Sequence, residues 1–136
     1  MSESASPLNS IGRQFLRFAS VGAVATVVHY SVLIALKEIF GVNAVLGTFC
    51  GAISGSIVSY ILNRRFTFTA RPSFGRGLAM FVLLMMVGAG LNALIMAILT
   101  GFGAHYLVAQ VIATLIVLIW NFFSARHFVF REPPVS

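Results

Sequence analysis

The feature of this sequence that most constrains its fold is where charge is missing. No Asp, Glu, Lys or Arg occurs in residues 18–36, 39–63 or 77–125, runs of 19, 25 and 49 residues. A helix needs about 20 predominantly apolar residues to cross the hydrocarbon core of a bilayer. The first two runs suit one crossing each. The third overshoots a single helix and must fold back once, so the pattern predicts four spans, near 18–36, 44–62, 78–99 and 106–123. Composition agrees: 59% of residues are apolar and 9% charged, whereas a soluble domain carries about 25% charged residues to cover its surface. The expected fold class is all-α, a polytopic membrane protein with four transmembrane helices. A soluble enzyme domain, a separate binding domain and a disulfide scaffold are excluded. The single Cys50 has no intrachain partner and reads as a small buried hydrophobe.

Residues 1–12 are Ser-rich and aperiodic and are expected to be a flexible cytoplasmic tail, followed by a membrane domain over 13–131 and a second short tail over 132–136. The apolar stretch after Arg13 and Arg17 is longer than the apolar core of a signal peptide, and further spans follow it, so it reads as an uncleaved first helix. Eight of the nine Lys and Arg residues fall in the N-terminal tail, the second loop and the C-terminal tail. The first loop holds only Lys37, beside Glu38, and the third loop holds none. Because Lys and Arg are retained on the cytoplasmic side, both termini are expected there. The net charge of +6 then belongs to topology and to anionic membrane lipids rather than to nucleic acid.

The two halves repeat with a period near 62 residues. Residues 59–68 read SYILNRRFTF and residues 121–130 read NFFSARHFVF. Each has an Arg and a second basic or imidazole side chain, then an aromatic, a β-branched residue and another aromatic. Upstream, Phe18 corresponds to Phe81 and His29 to Asn92 at a shift of 63. Each half is therefore a two-helix hairpin ending in a basic and aromatic collar. As each crosses the membrane twice, the halves are expected to form two parallel two-helix repeats, related by an axis along the membrane normal.

These motifs resemble the GtrA-like family of small four-span membrane proteins. The resemblance covers residues 14–131 and rests on the RFASVG segment (17–22), the LNRRFTF collar and the related NFFSARHFVF collar. The second collar departs from the family pattern, with Ala125 where an Asn usually precedes the Arg. The resemblance implies a role in cell-surface polysaccharide synthesis or glycosylation, by flipping a polyprenyl-phosphate-linked sugar across the cytoplasmic membrane.

The candidate site residues follow from the collars and from the few polar groups at membrane depth. Arg64, Arg65 and Arg126 suit a lipid phosphate, because guanidinium forks donate paired, charge-assisted hydrogen bonds. Arginines there also set topology, and collar phenylalanines also form interfacial belts. Asn63, His29, Asn92 and Asn121 are the candidates for solvating the sugar, since an intramembrane polar group is costly unless it pairs or faces water. His29 and Asn92, as repeat equivalents, suit either a structural hydrogen bond or a polar lining. On the second span, Gly47, Gly51, Gly55 and Ser59 recur every four residues, a small-residue face that admits a close helix neighbour.

All three acids, Glu3, Glu38 and Glu132, lie outside the spans. That leaves no paired carboxylates for glycosyl chemistry, and the scattered histidines make no metal cluster. No catalysis, cofactor or metal is expected. The expected partners are a polyprenyl-phosphate sugar lipid, membrane lipids, a glycosyltransferase and a second copy of the chain. Two alternatives to transport stay open: a non-transporting partner that recruits or anchors a glycosyltransferase, and a small multidrug-type exporter. The exporter is disfavoured by the lack of an intramembrane carboxylate.

Overall fold

The computed structural model describes residues 7–131, and every regular element among them is helical. Four helices follow in order: α1 (Pro7–Glu38), α2 (Ala44–Phe66), α3 (Phe74–Gly101) and α4 (Tyr106–Ser124). α4 runs on into a π-helical turn, Ala125–Val129. All four helices are long and apolar enough to cross a membrane. The described residues divide into two compact units, 7–71 and Pro72–Arg131, which are the two hairpins α1–α2 and α3–α4.

α1 begins at Pro7, so its helix takes in residues 7–12, which the sequence reading assigns to the N-terminal tail. Proline is well suited to the first turn of a helix, where its missing N–H would have no partner. The 32 residues of α1 span about 48 Å at 1.5 Å per residue, well beyond the ~30 Å hydrocarbon thickness. Its first turns, carrying Arg13 and Arg17, therefore project past the apolar core. Residues 1–6 and the C-terminal tail at 132–136 lie outside the described residues.

The hairpins are closed by matching turns. Gly41 (φ 68°) and Gly103 (φ 95°) both occupy the left-handed region, which glycine enters without steric cost. Two residues later, Asn43 and His105 cap the returning helices. The Asn43 side chain accepts from the Leu46 amide at 2.8 Å, and His105 Nδ1 accepts from the Leu107 amide at 3.1 Å. Both caps satisfy a helix N-terminal amide that would otherwise lack a partner. Hydroxyls along the spans are satisfied by their own helices: Thr26 donates to Gly22 O and Ser54 to Cys50 O, each at 2.8 Å. In hydrocarbon no water is present to do this.

Within the first hairpin, the small-residue face of α2 meets α1 closely. Gly47, Gly51 and Gly55 are all buried. A Cβ at Gly51 would come within 2.6 Å of the His29 carbonyl oxygen, and one at Gly55 within 2.8 Å of the Ala25 carbonyl oxygen. Contact at this range is what lets van der Waals attraction hold helices together where no hydrophobic effect operates. In the second hairpin the equivalents of Gly47 and Gly51 are Ala109 and Ala113, also fully buried. There the close approach moves to α3: Gly88 lies directly against the Asn121 amide, with Trp120 Cδ1 3.4 Å from its Cβ position.

Candidate functional site

The collars are built by the same backbone device in both hairpins. The Phe68 amide donates to Asn63 O at 3.0 Å, and the Phe130 amide donates to Ala125 O at 2.8 Å. Each is an i→i+5 bond, one residue longer than the α-helical repeat, and widened turns of this kind often occur at functional sites. The extra residue swings the second collar aromatic inward. Phe68 packs edge-on against Phe18 (centroids 6.3 Å, 69°), and Phe130 packs against Phe81 (6.2 Å, 67°). All four rings are buried. The first collar aromatics, Phe66 and Phe128, remain 56% and 62% exposed. Each collar thus uses one phenylalanine as an anchor to its own hairpin and presents the other outward.

Asn63 is fully buried and committed to its own helix. Its Nδ2 donates to Ser59 Oγ at 3.1 Å, and its Oδ1 accepts from Thr67 Oγ1 at 2.7 Å. Its carbonyl also accepts from the Thr67 and Phe68 amides, both at 3.0 Å. Asn63 therefore ties the end of α2 to the collar turn. Arg71 completes the turn by donating to Phe68 O at 2.7 Å.

The neighbouring arginines Arg64 and Arg65 go separate ways, because successive residues of an α-helix point about 100° apart. Arg64 is partly buried and interacts with the buried Tyr60 hydroxyl. Arg65 is exposed, and its guanidinium sits over the Phe66 ring, 5.5 Å from the centroid. Facing it across the hairpin, Arg17 Nη1 donates to Phe66 O at 3.4 Å. Phe66 is thus flanked by two cations, one on its carbonyl and one on its ring.

These residues line an open groove of about 720 Å³ between the start of α1 and the end of α2. Arg13, Arg17 and Arg65 form its polar rim, and Leu16, Val21, Val24, Leu62 and Phe66 its apolar floor. Of the sequence candidates only Arg65 reaches this groove. Arg13 and Arg17 were missed as site residues, although their spacing of four, continued by Ser20 and Val24, places them on one helical face.

The remaining candidates take up separate positions. His29 lies across Gly51 in the first hairpin. Asn92 Oδ1 accepts from Gln110 Nε2 at 3.1 Å, and Gln110 Nε2 also donates to Thr114 Oγ1 at 2.9 Å, a polar cluster joining α3 to α4. Asn121 faces Gly88, and its Oδ1 is buried without a conventional hydrogen-bond partner. Arg126 is partly buried in the π-helical turn. It is the equivalent of Arg64, but Phe122 replaces the hydroxyl-bearing Tyr60 beside it.

Two helical hairpins with matched turns and matched basic and aromatic collars, all four helices able to span a bilayer, define a multi-pass membrane protein. The chain belongs to the GtrA/DPMS transmembrane domain family, which it matches over residues 17–130. It is also similar to the uncharacterized membrane protein YngA of Bacillus subtilis (strain 168), at 27% identity over 117 residues, covering 85% of this chain and 78% of that protein.

Proposed function

We propose that this protein binds a polyprenyl-phosphate-linked sugar at its collars and carries the sugar headgroup across the cytoplasmic membrane, in support of cell-surface polysaccharide synthesis or glycosylation. Membership of the GtrA/DPMS family supports a role in glycosyl carrier-lipid processes, and the arginine-rimmed groove with an apolar floor is the observation that carries the reading. A prenyl phosphate has the same two chemistries in the same order, an anionic headgroup followed by an apolar chain. In this reading both termini and both collars face the cytoplasm, where Lys and Arg are retained. Arg65 and its neighbours hold the phosphate by charge-assisted hydrogen bonds. The polar groups at His29, Asn92 and Asn121 lower the cost of bringing sugar hydroxyls into the membrane. The protein acts without covalent chemistry, and two copies form the path that four helices are too few to enclose.

The decisive experiment reconstitutes purified protein into liposomes holding a fluorescent polyprenyl-phosphate sugar and follows its accessibility to a membrane-impermeant sugar-modifying reagent. Accessible label should rise from the outer-leaflet half toward completion. Protein-containing vesicles that behave like empty ones would refute transport. A second reading, a membrane partner that anchors a glycosyltransferase, is favoured by the family being described as a transmembrane domain. It predicts co-purification with that enzyme and no movement of lipid in the liposome experiment.

A further inference from the structure

The first hairpin's groove has a chemistry that topology alone does not require. Positive charge near a span end sets orientation wherever it sits on the cytoplasmic flank. Here, however, three arginines from two helices converge on one open groove, and among the described residues no acidic side chain lines it. Glu38 is at the opposite end of α1. Like charges gathered without a counterion repel one another, and an anion placed between them removes that penalty. Phe66 holds two of the guanidiniums in position, Arg17 through its carbonyl and Arg65 through its ring. Each guanidinium has five N–H donors in a fixed fork, and Arg17 directs only one of them at Phe66 O.

We propose that this groove is a phosphate site for a headgroup borne on a single apolar chain, with Arg13, Arg17 and Arg65 on the phosphate and the chain laid over Leu16, Val21, Val24, Leu62 and Phe66. The site is confined to the first hairpin. At the equivalent positions of the second, Arg17 becomes Met80, Ser20 becomes Leu83 and Arg65 becomes His127, leaving Arg76 as the one arginine. The inference rests on the lipid-linked-sugar reading and narrows it, moving the phosphate from both collars to one groove that includes two residues outside them.

The test uses purified full-length protein in nanodiscs of phosphatidylcholine, titrated with farnesyl phosphate by calorimetry. Arg17→Gln and Arg65→Gln should each weaken binding at least tenfold. Arg76→Gln removes the same charge from the second hairpin and should change it less than twofold. Arg65→Lys preserves the topology-setting charge but not the fork, so it should insert and melt like the parent while still binding several-fold more weakly. Equal losses for Arg76→Gln and Arg65→Gln, or full binding by Arg65→Lys, would overturn the site. So would inorganic pyrophosphate binding as tightly as farnesyl phosphate, or phosphatidylglycerol competing as well as it does, because the single apolar chain would then count for nothing. If Arg126→Gln abolishes binding while Arg17→Gln and Arg65→Gln retain it, the groove assignment fails and the lipid-linked-sugar reading stands. If liposomes move the labelled lipid equally well with Arg17→Gln and Arg65→Gln, the same separation holds.

Discussion

The two hairpins share a turn, a collar and a buried phenylalanine pair, yet they solve the packing between their helices in opposite ways. In α1–α2 the small residues are on the returning helix, Gly47, Gly51 and Gly55, and the larger His29 of α1 lies across them. In α3–α4 the glycine is on the outgoing helix at Gly88, and the larger Trp120 and Asn121 of α4 lie across it. A close helix contact needs one small partner at each level, and the physics does not specify which helix supplies it. The glycine at the closest approach has changed helix, while Ala109 and Ala113 keep small residues on the returning one. The collars diverge too: the first gathers three arginines into a groove, while the second keeps only Arg76 and His127 at the matching positions. The matched architecture thus leaves the cluster of three groove arginines in one half only.

The exchange of small and large residues can be broken most forcefully at Gly51. Gly51→Ala drives a Cβ into the His29 backbone, which cannot rotate away, so α1 and α2 must part. A loss of about 3 kcal/mol, the upper range for overpacking, should appear as a lower unfolding midpoint in detergent. Gly22→Ala, with nothing within 4 Å of its Cβ position, should leave that midpoint unchanged. Gly88→Ala meets the end of a side chain instead, and Asn121 can turn aside. The expected cost is about 1–2 kcal/mol, and a cost equal to that of Gly51→Ala would show that the two hairpins are equally rigid.

The collar turn offers a smaller contrast. Asn63→Ala copies the second hairpin's Ala125 and strands the Ser59 and Thr67 hydroxyls. About 1 kcal/mol of stability should be lost, with hydrogen exchange accelerating at the Thr67 and Phe68 amides. An unchanged protein would mean that the i→i+5 bond forms the turn without the side chain. Smallest of all, Gln110→Leu removes the donor to Asn92 and Thr114. The membrane average for such bonds is about 0.6 kcal/mol, so a unit-resolved unfolding measurement should show a slight loss in the second hairpin and none in the first.

Much of this was legible in sequence. The empty charge runs gave four spans because hydrocarbon admits uncharged helices of a fixed minimum length. The repeat was legible because both collars kept Arg, then aromatic, β-branched, aromatic. The fate of Arg64 and Arg65 was not, since adjacency in the chain says nothing about which face of a helix each occupies once the neighbouring helix is in place. Nor was the role of Asn63: a polar residue in the last helical turn suits a ligand group equally well, and only the packed collar turn shows it committed to Ser59 on its helix and to Thr67 just past the helix end. Arg13 and Arg17 were discounted as topology signals, although their four-residue spacing marked a common face.

Sequence alone determined that this chain lives in a membrane, how many times it crosses, and that it is built twice from one plan, because solvation and periodicity are properties of the residues themselves. Only the tertiary structure decided which phenylalanine of each collar is an anchor, which helix of each hairpin yields to its partner, and which arginines share a groove. Those outcomes depend on distances between residues far apart in the chain, and such distances exist only once the helices have packed.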